Sequence, residues 1–186
     1  MMKRNIVSPH NLKWKSLLFP LLTLLWMLVI FLFSAQDGSS SSSLSQFILD
    51  ILPFWPKEAG GEDSLLFGFL PLRKLAHMAE YAVLGILVFG TLKTEVQRKI
   101  AAERQFRRQR GDNKMRLSGF WRIGFYAWLL SVFYAVTDEI HQLFVPGRAG
   151  RLLDVGIDGI GAAVGILLVL FLLMGINHRK RTGSGS

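Results

Sequence analysis

The chain has 186 residues, 51% of them hydrophobic, no cysteine, and a formal net charge of +9. Its apolar residues fall in uninterrupted blocks of about 20, the length that crosses a hydrocarbon core about 30 Å thick, and the mean hydropathy is +0.34. Disulfides and thiolate metal sites are excluded. The positive charge sits where membrane topology would put it, which argues against nucleic acid as a partner.

Residues 1–15 carry Lys3, Arg4, Lys13 and Lys15 and no acid. An uncharged apolar run follows over residues 16–34 and reads as the first spanning helix. It is longer than the apolar core of a signal peptide and ends in Phe33-Ser34-Ala35-Gln36 without a small-residue cleavage site, so a retained helix is expected. After a serine-rich linker, Leu44, Phe47, Ile48, Ile51 and Leu52 recur at helical spacing. That face predicts a short interfacial helix, stopped by Pro53, with Phe54 and Trp55 at headgroup level. A polar loop over residues 57–64 leads to Pro71, which opens a second spanning helix at 72–92.

Residues 93–122 form a basic loop with ten Lys and Arg against Glu95, Glu103 and Asp112. The third spanning helix is predicted over 123–145 and the fourth over 154–176. Residues 177–186 make a tail that closes with His178-Arg-Lys-Arg181 and a Gly183-Ser-Gly-Ser186 remnant of cloning. The expected fold is an all-α integral membrane protein, a bundle of four transmembrane helices occupying residues 16–176.

Seventeen Lys and Arg lie in residues 1–15, 93–122 and the tail, against Lys57, Arg148 and Arg151 in the other two loops. The positive-inside rule therefore predicts both termini and the basic loop in the cytoplasm. Attraction to an anionic leaflet gives that loop a second reason to be basic.

With this orientation three polar groups meet on the outer side. Arg73, His77 and Glu80, with Lys74 and Tyr81 beside them, occupy the first turns of the second helix. Ser131, Tyr134, Asp138, His141 and Gln142 form a stripe near the end of the third. Asp154 and Asp158 share a face of the fourth, and Arg148 and Arg151 lie in the connecting turn. Asp138, rather than Glu139, is expected to be the buried acid, because Glu139 sits about 100° round the helix. Charges at such depth cost about 2.5–3.5 kcal/mol each on insertion scales, so they mark a site by default.

The residues leave two readings open: a self-satisfied ion-pair network, or a pocket for an anionic headgroup or phosphate with arginines as donors. Binding candidates are Arg73, Lys74, Gln142, Arg148, Arg151, Asp154 and Asp158. Arg148 is expected to pair with Asp138 or Asp154, or to clamp a phosphate. The candidates for acid–base chemistry are His77, Glu80, Asp138, Glu139 and His141. No H-E-x-x-H spacing and no G-x-S-x-G elbow occurs, so neither a metal, another cofactor nor a serine nucleophile is expected. Gly161-x-x-x-Gly165 has the spacing of close helix packing rather than of a phosphate-binding turn.

The combination of Phe33-Ser34-Ala35-Gln36, Arg73-Lys74-Leu-Ala-His77-Met-Ala-Glu80-Tyr81-Ala-Val-Leu84-Gly85, Asp138-Glu139-Ile-His-Gln142-Leu-Phe144-Val-Pro146-Gly147-Arg148 and Asp154…Asp158…Gly161 resembles the VanZ-like family of small membrane proteins. The likeness covers nearly all of the four-helix chain. Asp158 departs from it, since many relatives have Asn there. The resemblance implies a bacterial cell-envelope role and, for the founding member, low-level resistance to the glycopeptide teicoplanin. The partners it suggests are membrane lipids and a lipid-linked cell-wall precursor or anionic headgroup. The alternatives are a membrane-embedded hydrolase or transferase acting on a lipid-linked phosphate, and a structural or assembly partner in the envelope.

Overall fold

The computed structural model describes residues 9–36, 65–66, 70–106, 117–148 and 150–182, with side chains over 17–36, 74–100, 119–148 and 150–176. The predicted interfacial helix, the polar loop and the side chain of Arg73 lie outside the described residues. The described residues form four helices: α1 (Pro9–Ser34), α2 (Leu72–Phe106), α3 (Leu117–Gln142) and α4 (Leu152–Thr182). Before α2, β1 (Leu65–Leu66) and β2 (Leu70–Pro71) form a minimal antiparallel pair, Leu66 opposite Leu70. Each helix contains a stretch long and apolar enough to cross a membrane. The protein is a multi-pass membrane protein whose candidate spans are all helices.

Helix boundaries depart from the sequence reading mostly by extension, although α3 stops at Gln142 rather than at residue 145. α2 does not end at residue 92 but runs on to Phe106, through the first part of the basic segment. Residues 93–106 contain no Gly or Pro, and their Lys, Glu, Gln, Arg and Ala are strong helix formers. Glu95 and Arg98 add an i,i+3 pair at 3.6 Å. Hydropathy marks where a helix leaves the hydrocarbon, whereas propensity and breakers mark where it ends.

Packing is inside out relative to a soluble bundle. Leu21, Leu24, Leu32, Phe133, Leu143 and Phe171 are exposed, as expected of side chains that face acyl tails. The interior is thin: Ile30, Tyr81, Leu84, Phe89, Ala127, Ala135 and Ile166 form most of it. α2 is the central element and packs against each of the other three helices. Its tightest partner is α4, where glycine makes the approach possible. A Cβ at Gly161 would overlap the carbonyl of Met78, and one at Gly165 would overlap that of Ala82. The Gly161-x-x-x-Gly165 pair therefore packs helices, as its spacing predicted.

α1 is tied in by polar bonds as well as by contact. Thr23 and Thr91 share a hydrogen bond at 2.9 Å, Trp26 Nε1 donates to Glu80 O at 2.9 Å, and the Tyr134 hydroxyl donates to Met27 O at 2.6 Å.

Candidate functional site at one end of the bundle

Polar side chains gather where α1 and α3 finish and α2 and α4 begin. The α3 stripe faces α1. Tyr134 reaches Met27, the His141 ring lies 4.4 Å from that of Phe31, and Asp138 meets Ser34. Ser131 turns back on its own helix and donates to Ala127 O at 2.9 Å.

The centre of the site is Asp138, 3% exposed. Its Oδ2 accepts from Ser34 Oγ at 2.6 Å and from Gln142 Nε2 at 3.1 Å. The same Gln142 nitrogen also donates to Ser34 Oγ at 3.0 Å, closing a triangle in which a carboxylate is held by neutral donors. Asp138 Oδ1 has no hydrogen-bond partner among the described residues.

Glu139 is buried as well, which corrects the expectation that only one acid of the pair would be. The α3–α4 connection folds back over it. Arg151 N donates to Glu139 Oε2 at 2.8 Å, and a Cβ on Gly150 would stand 2.5 Å from Glu139 O. Helix periodicity alone does not foresee a covering turn.

Arg148 takes a role that neither sequence expectation named. Its Nε donates to Gln36 O at 2.7 Å and its Nη2 to Phe33 O at 2.9 Å. These are carbonyls at the C-terminal end of α1, where a helix leaves acceptors unpaired. The turn that delivers Arg148 contains Gly147 at φ 74, a left-handed conformation that costs glycine nothing. Arg148 caps α1, and two of its N–H groups are used in doing so.

On the α2–α4 side, Lys74 Nζ lies 3.1 Å from Asp154 Oδ1 with both side chains about 30% exposed. His77 Nδ1 lies 3.7 Å from Glu80 Oε2. Arg151 is exposed. Deeper on α4, Asp158 is 1% exposed, and neither of its oxygens has a hydrogen-bond partner among the described residues. Tyr81, fully buried on α2, has an equally unpartnered hydroxyl. No group of three His, Asp or Glu among the described residues is arranged to hold a metal ion.

The structure thus brings together His77, Glu80, Lys74, Asp138, Glu139, His141, Gln142, Arg148, Arg151, Asp154 and Asp158 at one end of the bundle. Sequence reasoning missed the α1 contribution: Ser34, and the carbonyls of Phe33 and Gln36. The available signal was a hydroxyl closing an otherwise apolar run. It also passed over Tyr81 as a site residue, although the phenol sits among the charged residues that open α2.

A family model described as VanZ/LLP1 matches residues 19–173, from the first spanning helix to the last. The chain belongs to the VanZ/LLP1 family. No curated protein and no solved structure matches it. In VanZ/LLP1 terms, the matched region contains every residue of the polar end described above.

Proposed function

We propose that this VanZ/LLP1 protein resides in the bacterial plasma membrane and binds the phosphate-bearing headgroup of an envelope lipid at the polar end of its bundle. The observation that carries this reading is a polar cluster, charged on three helices and joined by Ser34 of the fourth, within segments apolar enough to span a bilayer. Packing alone does not call for such a cluster, since buried ion pairs add little net stability. Lys74 and Arg151 supply positive charge at its rim, where a phosphate would approach. The positive-inside rule assigns this end to the outer face and both termini to the cytoplasm. If the lipid is a cell-wall precursor, altered teicoplanin susceptibility follows.

The test is lipid mass spectrometry on gently purified protein. The wild type should retain a phosphate-bearing lipid, and the Lys74→Gln/Arg151→Gln double variant should lose most of it. Equal retention by both proteins, or no specific lipid on either, rejects the reading.

His77 beside Glu80 supports a second reading, a hydrolase or transferase on a lipid-linked phosphate. In it, His77 exchanges a proton with the leaving or attacking group while Glu80 orients the ring. His77→Gln separates the two readings. Turnover lost with lipid retention intact indicates an enzyme, and retention with no turnover in any variant indicates a binding protein.

A further inference from the structure

Asp158 is the one acid of the polar end with both carboxylate oxygens buried and without a hydrogen bond among the described residues, and it is 1% exposed. The charged groups that reach it are Glu139, Asp138, Asp154 and Glu80, all acids. Such a carboxylate is expensive in the membrane interior without a donor of positive charge. Two neighbours point the same way. Asp138 has Oδ1 unused while Oδ2 is saturated, and Tyr81 has an unused hydroxyl. Tyr81 and Asp158 each lie three residues from the close α2–α4 approach of Met78 and Gly161, and the Tyr81 ring is 6.3 Å from that of Tyr134, one turn before Asp138, so the three groups share one region.

What the region offers is chiefly acceptors: three carboxylate oxygens and a phenol oxygen that can accept as well as donate, with the donors Ser34 and Gln142 already committed. A primary ammonium group presents three N–H donors and one positive charge, which matches that inventory. A quaternary ammonium has no N–H to give and is normally received by an aromatic cage. A divalent metal needs converging ligands, and none are so arranged among the described residues.

Position agrees with this assignment. Asp158 lies one helical turn below Asp154, about 6 Å along the axis, and Asp154 sits at the rim beside Lys74. A headgroup whose phosphate rests at the rim would place an ammonium, two carbons further on, at the depth of Asp158.

We propose that Asp158, Asp138 Oδ1 and the Tyr81 hydroxyl form a subsite for a primary ammonium group, so that the bound lipid has an amine-bearing, zwitterionic headgroup. The proposal rests on the headgroup-binding reading above and narrows it to a chemical class.

The experiment titrates full-length protein in detergent with dioctanoyl phosphatidylethanolamine, its N-trimethyl counterpart phosphatidylcholine, and phosphatidylglycerol, and compares dissociation constants. Phosphatidylethanolamine should bind at least about tenfold tighter than the other two, as expected when a buried charge finds its partner. Asp158→Asn should bring it down to the level of phosphatidylcholine. Equal affinities for all three lipids on the wild type would overturn the ammonium subsite while leaving the headgroup reading intact. An undiminished preference in Asp158→Asn would overturn it in the same way. Binding of none of the three would overturn the ammonium subsite, and the lipid mass spectrum decides the headgroup reading separately. The wild-type comparison needs no substitution, so poor folding of a variant leaves the test decisive.

Discussion

Ser34 Oγ donates at 2.6 Å to an acid that water does not reach, and that makes a small hydroxyl consequential. Ser34→Ala would remove one of the neutral donors on Asp138 Oδ2 and one acceptor of Gln142. We expect it to lower stability by about 1–3 kcal/mol, the range for an unsatisfied buried group, read as a drop in the melting temperature of the detergent-solubilised protein. Ser131→Ala is the control. Its hydroxyl is equally buried but bonds only the carbonyl four residues back in its own helix, so its loss should be close to neutral. At this scale the sequence was informative where a side chain's fate depends on its own helix. The i,i+3,i+4 stripe through Tyr134, Asp138 and His141 located the buried acid. It was uninformative where the partner comes from a distant segment. Arg148 binds carbonyls more than a hundred residues earlier, and Glu139 is covered by a turn whose path no periodicity encodes.

Between elements, the closest approach is that of α2 and α4. At Gly161 a Cβ would meet the Met78 backbone carbonyl rather than a flexible side chain, so relief requires the helices to separate. Gly161→Ala should destabilise the bundle by about 1–3 kcal/mol, in the range of overpacking. Gly156→Ala, with nothing within 4 Å of its would-be Cβ, should be neutral or slightly stabilising. Melting temperatures of the two variants test the contrast, and similar losses would mean that packing is not what the glycine serves. The small-residue spacing was readable because it is local to one helix. The length of α2 was not, because a hydropathy block stops at Lys93 while the backbone hydrogen-bond ladder continues to Phe106.

For the molecule as a whole, orientation is the property on which the proposed function depends. A reporter inserted near Gly111 should read cytoplasmic and one near Gly60 external. The reverse pattern would put the polar end on the inner face and remove envelope-side lipids from consideration. Four spanning helices were legible from composition because lipid requires every backbone group to be bonded within its own segment. The convergence of their polar faces was only partly legible, since α1 has no charge in its apolar run to announce its share.

α2 is 35 residues long, or about 52 Å at 1.5 Å per residue. Even at a tilt of 40°, the steep end of what spanning helices adopt, it covers about 40 Å of a core about 30 Å thick. At least about 10 Å of helix must therefore stand clear of the hydrocarbon. The basic segment is thus launched from a stiff post rather than a slack tether. A soluble partner recruited to those charges would be held at a set height and bearing above the bilayer.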